Sequence, residues 1–277
     1  MMLYHVGVSG GKDSTAALLF MVYESGIDKS QINATFCDTG NETDETYAHV
    51  KMLSDKVHPI ETITPPLDFY ELAKHKRRFP STRARFCTQE LKIFPTQKHI
   101  FNLRDLGHTV VAVSGVRAQE SAERAKLPER EFSMLFACDL WRPLLHWSIK
   151  DVWYIHKKYN ISPNPMYAMG AMRVGCAPCI NSRKSEIRMM ARNFPERIER
   201  IKELENNFPN QNGFSSFFPR LKKPEQYRSR EITTKDGNVL KVPTIDDVVK
   251  WSRLGGNLDF ESELDGYICD IEYGACE

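Results

Sequence analysis

Short apolar runs alternate with longer amphipathic segments through the first half of the chain. Residues 3–9 form an apolar run that leads into Gly-Gly, the pattern of a buried parallel strand. Residues 15–23 follow with Ala16, Ala17, Leu18, Leu19, Met21 and Val22 and predict a helix. Residues 32–37 predict a second strand, ending at Asp38-Thr39-Gly40, and residues 43–54 a second helix. A third strand is predicted over 58–63, weakened by Pro59. The plainest later strand is 109–114 (Thr-Val-Val-Ala-Val-Ser), which ends at Gly115. Strands alternating with helices indicate an α/β fold, a doubly wound, mostly parallel sheet covered on both faces.

From Trp141 onward the pattern changes. Residues 149–159 predict a helix with Val152, Trp153 and Ile155 on one face. The stretch 160–179 is a loop punctuated by Pro163, Pro165, Gly170, Gly175 and Pro178. Residues 185–207 predict a long charged helix interrupted near Pro195. Beyond Phe208 the chain turns polar and irregular, with a hairpin expected at Lys235-Asp236-Gly237-Asn238. This divides the chain into an α/β domain over 1–207 and a helical or irregular C-terminal extension over 208–277. The 277 residues, 41% hydrophobic, suit that size.

No run of about 18 apolar residues is present, so no membrane span is expected. The first residues enter a strand directly, without the layout of a signal peptide, and point to a cytoplasmic protein. A net charge of +2 decides nothing about partners. Its distribution says more: Lys74, Lys76, Arg77, Arg78, Arg83 and Arg85 form one basic run, 184–200 and 220–230 are also basic, and the last twenty residues are acidic. Each basic run is either a phosphate-binding surface or a solvated face.

The clearest candidate chemistry lies between the first strand and first helix, at Ser9-Gly10-Gly11-Lys12-Asp13-Ser14. Open α/β sheets bind ligands at the carboxyl ends of their strands. Two glycines let the backbone turn and bring its N–H groups to an anion, and the helix adds its positive end. Lys12 can neutralise phosphate, Ser9 and Ser14 offer hydroxyls, and Asp13 either caps the helix or holds a magnesium ion. The spacing matches neither the Walker pattern nor the spaced-glycine dinucleotide fingerprint. Arg117 also follows a strand end, so it either faces the same crevice, where its planar fork suits phosphate or sulfate, or makes a surface ion pair. Asp38 is either a crevice acid or a turn-former before Gly40.

Ser-Gly-Gly-Lys-Asp-Ser resembles the pyrophosphate loop of the adenine-nucleotide α-hydrolase superfamily, which includes ATP pyrophosphatases and phosphoadenylyl-sulfate reductases. Several further segments resemble the reductase branch: Asp38-Thr39-Gly40-Asn41-Glu42 with Glu45-Thr46, Arg85-Phe86-Cys87-Thr88 with Leu91-Lys92, and Gly115-Val116-Arg117-Ala118-Gln119-Glu120-Ser121 with Arg124. Trp141-Arg142-Pro143-Leu144 and Val174-Gly175-Cys176-Ala177-Pro178-Cys179 continue the series in order to about residue 200. The resemblance implies an adenine nucleotide held by Ser9 to Ser14, Asp38, Gly115 and Arg117, with Lys12, Asp13, Asp38 and Arg117 in the catalytic roles. It implies either ATP-dependent activation with release of pyrophosphate, for which Mg²⁺ would be needed, or reduction of an adenylyl sulfate.

Seven cysteines, an odd number, argue against a disulfide framework. Cys176-x-x-Cys179 is a tight ligand pair, and with Cys87 it resembles the 4Fe-4S site of adenylyl-sulfate reductases. Those carry two adjacent cysteines where this chain has Cys87-Thr88. Cys276 is the first candidate for a fourth ligand, with Cys138 and Cys269 behind it. An open iron site, a zinc site and no metal at all remain alternatives. Cys276 also resembles the mobile C-terminal nucleophile of the thiol-dependent reductases, although its Gly-Ala-Cys-Glu context differs from theirs. Cys37, in an apolar strand, reads as buried.

The eight histidines show no metal-binding spacing, and Trp141, Trp147 and Trp153 read as core. Phe214, Phe217 and Phe218 ahead of Arg220, Lys222 and Lys223 either pin a loop to the core or stack single-stranded nucleic acid. Relatives in the resembled branch take part in DNA sulfur modification and occur beside phage-defence functions. A DNA- or RNA-acting enzyme that modifies or excises bases is therefore the second expectation. A nucleotide-sensing module with a structural metal is the third.

Overall fold

The apolar runs of the sequence are strands of one sheet in the computed structural model, which describes residues 1–210, 213–218, 225–234 and 236–254. Six strands, β1 (Met2–Gly7), β2 (Ile32–Cys37), β3 (Ile60–Ile63), β4 (Thr109–Val113), β5 (Arg130–Ser133) and β6 (Cys138–Trp141), lie in the order β3-β2-β1-β4-β6-β5. All neighbouring pairs are parallel except β5 with β6, which is antiparallel. Pro59 stands just before β3, where its missing N–H costs the ladder nothing.

Period-two alternation explains both covered faces. On β4, Val111 and Val113 join a core with Leu18, Leu19 and Met21 of α1 (Lys12–Tyr23) and Val152 and Ile155 of α6 (Ile149–Lys158). Val110 and Ala112 point the other way, against Ile100 of α5 (Phe94–Asp105). Between these elements run α2 (Asp44–Lys56), α3 (Phe69–His75) and the one-turn α4 (Phe86–Thr88), which passes through a π-helical turn, Gln89–Ile93, into α5. The doubly wound sheet is as the sequence predicts. The pair β5 and β6 is absent from the sequence pattern because each strand has four residues and mixes charged with apolar positions.

A second core lies beyond the sheet. It joins Phe69, Leu72 and Phe79 to Met166 of α7 (Pro165–Ala168), Ile187 and Met190 of α8 (Lys184–Asn193) and Ile198 and Ile201 of α9 (Pro195–Asn206). Pro195 divides the predicted long helix by starting α9 at its first turn, where proline is tolerated. Phe208, Phe217, Phe218 and residues Ile245 and Val248 of α10 (Ile245–Ser252) enter the same core. Phe214, Phe217 and Phe218 are buried, so these aromatics pin their loop inward. The expected hairpin pairs β7 (Arg230–Thr233) with β8 (Val239–Val242).

Candidate active site

The turn after β1 is built around Gly10, whose φ of +78° suits glycine; a Cβ there would meet Thr46 Cγ2 at 3.1 Å and Val50 Cγ2 at 3.2 Å. Gly11 is the N-cap of α1 and has no side chain to cap it. Neighbours supply the acceptors instead: Gly11 N donates to Ser9 Oγ (3.3 Å), Ser9 N to Ser14 Oγ (3.2 Å), and Lys12 N to the hydroxyl of Tyr167 (2.9 Å). Asn164 Nδ2 donates to Gly10 O (3.2 Å), and His156 Nε2 contacts Lys12 O at 2.8 Å.

Asp13 is fully buried and carries two cations. Its Oδ1 accepts from Arg117 Nε at 2.6 Å, and its Oδ2 lies 2.7 Å from Lys12 Nζ. Arg117 is buried and comes from the segment after β4, so the two predicted cations do meet at one carboxylate. Arg117 is thus not a surface ion pair. Its backbone N donates to Glu120 Oε2 (2.7 Å), and Glu120 in turn pairs with Arg124 at 2.7 Å.

Beside this array a cleft is lined by Ser9, Ser14, Cys37, Glu42, Lys92 and Gly115. Asp38 is outside that lining. Its Oδ1 accepts from Gly40 N (2.9 Å) and from the Tyr47 hydroxyl (2.6 Å), and Gly40 has a φ of +68°. Its contacts are those of a turn-former. Burial and the Asp38 hydrogen bond push the Tyr47 phenol far up. The crevice acid is Glu42, buried, accepting from Thr39 N (3.1 Å) and Thr39 Oγ1 (2.8 Å) and lying 3.8 Å from Cys176 Sγ. Its sequence signal was its place in the Asp-Thr-Gly-Asn-Glu segment.

Cys87, Cys176 and Cys179 line a second cleft with Thr39, Phe69 and Lys92. Cys176 Sγ lies 3.4 Å from Thr39 Oγ1, and Asn181 N donates to Cys179 Sγ at 3.4 Å. The loop is fixed by Ala177 N to Asn41 O (2.8 Å), by Asn41 Nδ2 to Pro178 O (3.2 Å) and by Arg197 Nη1 to Ala177 O (2.9 Å). Arg197 also donates to Glu42 O, so one side chain of α9 ties the cysteine loop to the turn after β2. Among the described residues, no group of three His, Cys, Asp or Glu side chains is close enough to hold a metal ion. Three cysteine sulfurs line one cleft, soft donors that suit a thiolate-bound centre in chemistry, but they are not at ligating distance. Cys138 lies on β6 in the core under α5, apart from the three, where burial pushes its thiol up. Cys37 is also pushed up by burial. Cys269 and Cys276 lie outside the described residues.

Lys92, on the π-helical turn, lines both clefts and a third one formed by Met166, Met189 and Met190 beside Cys176 and Cys179. Lys74, Lys76, Arg77, Arg78 and Arg83 are exposed next to the Cys87 segment. No described helix is long and apolar enough to cross a membrane.

Residues 4–182 match the phosphoadenosine phosphosulfate reductase domain. A 37.8 kDa protein of Escherichia phage 186 is 31% identical, over 98% of this chain and 96% of its own length. Adenosine 5'-phosphosulfate reductases of Bacillus pumilus and Anoxybacillus flavithermus are 27% and 31% identical, over 54% and 50% of this chain. The matches span 64% and 56% of those two enzymes, less than two thirds of either. The phosphoadenylyl-sulfate reductase of Candida auris, solved as a phosphate complex, superposes with a TM-score of 0.50 over 64% of this chain and 82% of its own, at 17% identity, a likeness of fold. The family match runs from β1 to just past the cysteine pair, the stretch that carries both clefts, and the chain belongs to the phosphoadenosine phosphosulfate reductase domain family.

Proposed function

We propose that this protein is an enzyme that binds an adenine nucleotide with its pyrophosphate or sulfate end on Ser9 to Ser14, and acts on that end beside the cysteine cleft. The observation that carries this is the buried array of Lys12, Asp13 and Arg117 at the N-terminus of α1. Two cations held by one carboxylate are preorganised, and a helix N-terminus favours the same anion. Lys12 and Arg117 stabilise charge on the ligand, Asp13 orients both, Gly115 lines the cleft beside the loop, and Ser9 and Ser14 offer hydroxyls. Asp38 braces the turn that presents Glu42. Lys92 stands between the nucleotide cleft and the thiols and would hold negative charge passing between them. The family membership and the thiols favour adenylyl-sulfate reduction; ATP-dependent activation releasing pyrophosphate uses the same loop, with Mg²⁺ on the phosphates.

Cys87, Cys176 and Cys179, with Cys276 as the proposed fourth, would hold an iron–sulfur cluster or zinc, which would supply electron transfer or structural rigidity respectively. Metal content and the visible spectrum of anaerobically purified protein decide between them. Titration calorimetry with ATP and with adenylyl sulfate tests the nucleotide reading. Binding that fails, or that is untouched by Lys12→Ala, would sink it.

A nucleic-acid substrate is the second reading, favoured by the exposed basic run beside Cys87 and by the phage relative. It predicts DNA or RNA binding that weakens steeply with salt. Binding that ignores salt, or none at all, removes it.

A further inference from the structure

The first amides of a helix need acceptors, and in a phosphate-binding loop the ligand supplies them. In this protein the Lys12 amide is taken by the Tyr167 hydroxyl at 2.9 Å, from a residue on the cysteine side of the fold. Lys12 Nζ also lies 5.9 Å over the Tyr167 ring. We infer that Tyr167 is a displaceable stand-in for a ligand oxyanion at α1, and that its departure on anion binding reports the state of the phosphate loop to the cysteine loop. This rests on the reading that the loop takes an anionic ligand.

Three observations support it. A neutral phenol oxygen is a weaker acceptor than a phosphate or sulfate oxygen, because hydrogen bonds to an ionised partner are about twice as strong. An arriving oxyanion therefore wins the amide. Next, Tyr167 is half-buried at the edge of the core that holds Met166, with its ring edge-on to Trp153 at 5.7 Å, so it can shift without leaving a fully buried position. Finally, the way to the thiols is short. Asn164, buried, anchors the start of α7 on Gly10 O, and Ala171 N bonds back to Met166 O at 3.0 Å. Met166, Ala171 and Val174 then line one cleft with Cys176 and Cys179. A shift of Tyr167 against the fixed Asn164 is passed through this compact segment to the loop that carries the thiols. Tyr167 is on this account a positioning residue. It touches the Lys12 amide and the lysine side chain, and it acts on the cysteines through α7.

The test uses the full chain, inorganic pyrophosphate as probe, calorimetry, and mass-spectrometric labelling of Cys176 and Cys179 by iodoacetamide. Wild type is expected to bind pyrophosphate and to change its labelling rate at one or both cysteines. Tyr167→Phe removes the competing acceptor, so it binds pyrophosphate roughly fivefold tighter. Without pyrophosphate it labels at the rate of ligand-bound wild type. Equal or weaker affinity in Tyr167→Phe, or a labelling response like that of wild type, overturns the inference alone. Absence of pyrophosphate binding in wild type removes the nucleotide reading and this inference together. Should the variant not fold, selectively labelled tyrosine in wild type decides. A Tyr167 ring resonance that moves on pyrophosphate binding supports the stand-in, and one that stays fixed in the bound state overturns it.

Discussion

Asp13 holds Lys12 and Arg117 on one buried carboxylate, and that settles what its removal does. Asp13→Ala leaves the Arg117 guanidinium buried without its counter-charge. Removing one partner of a buried pair costs about 3–5 kcal/mol, and urea unfolding should show a loss of that order. Asp13→Asn keeps the shape and a dipole toward Arg117, so it should lose less. Gly10→Ala forces a non-glycine residue to a φ of +78° and pushes Cβ into Thr46 and Val50, for a cost of roughly 1–3 kcal/mol in the same experiment. The loop itself was legible because its residues are contiguous: glycines, lysine and serine sit together between a strand and a helix. Its buried ion pair was not, since Arg117 lies 104 positions after Asp13. Asp38 and Glu42 show the same limit. Both stand in one acidic segment, and only the turn at Gly40 decides that Asp38 braces the backbone while Glu42 faces the cleft.

At the scale of elements, the tail segments share one buried polar anchor on α9. Glu205 is fully buried, and its two carboxyl oxygens accept from Phe217 N (2.7 Å) and Ile245 N (2.8 Å). Its own carbonyl accepts from Ser215 N at 3.1 Å, and Ser215 Oγ accepts from Phe79 N at 3.3 Å. This one glutamate therefore fastens residues 213–218 and the start of α10 onto the core that backs the cysteine loop. Glu205→Ala strips two buried amides of their acceptor, at about 1–3 kcal/mol each. Hydrogen exchange in 213–218 and 245–252 should accelerate accordingly, while β1 and β4 keep their protection. Unchanged exchange in the tail would mean that the apolar contacts of Phe217 and Val248 hold it alone. Sequence periodicity located α9 and α10 only in part, because tertiary partners define them. The long helix 185–207 was visible as a pattern broken at Pro195, whereas α10 sits in a stretch whose polar composition hid it. The π-helical turn that aims Lys92 has no sequence signature at all, since a single inserted residue leaves the apolar period almost intact.

Over the whole molecule the titrating groups set an acid limit, and its sign follows from where each group sits. Burial lowers His5 to about 3 and His49 to about 4. His5 is enclosed on the α5 face of the sheet beside His99, with Nε2 at 2.9 Å from Thr35 Oγ1. Among the described residues His49 has no hydrogen-bond partner at Nε2, and it lies near His156, which contacts the loop between β1 and α1 at Lys12 O. Folding keeps both rings neutral, so below a pH of about 6.5 the unfolded chain binds more protons and stability falls as pH falls. Each of these histidines costs about 1.4 kcal/mol per pH unit in that window. Glu205 works in the other direction. Burial raises it to about 7, so the folded state holds its proton between the unfolded value of 4.5 and that pH, and acid returns stability there. Two losses against one gain leave a net fall of about 1.4 kcal/mol per unit from pH 6.5 toward pH 4.5, steepened by His99 and His156, which burial also lowers. Urea midpoints measured from pH 8 to 4.5 should be flat at the alkaline end and then drop. His5→Asn should roughly halve the contribution of the two strongly lowered histidines, and Glu205→Gln should make the drop steeper. A midpoint that holds steady down to pH 4.5 in the wild type would show that these rings accept protons in the folded state. The buried frame around the loop between β1 and α1 would then open to solvent more readily than its packing implies.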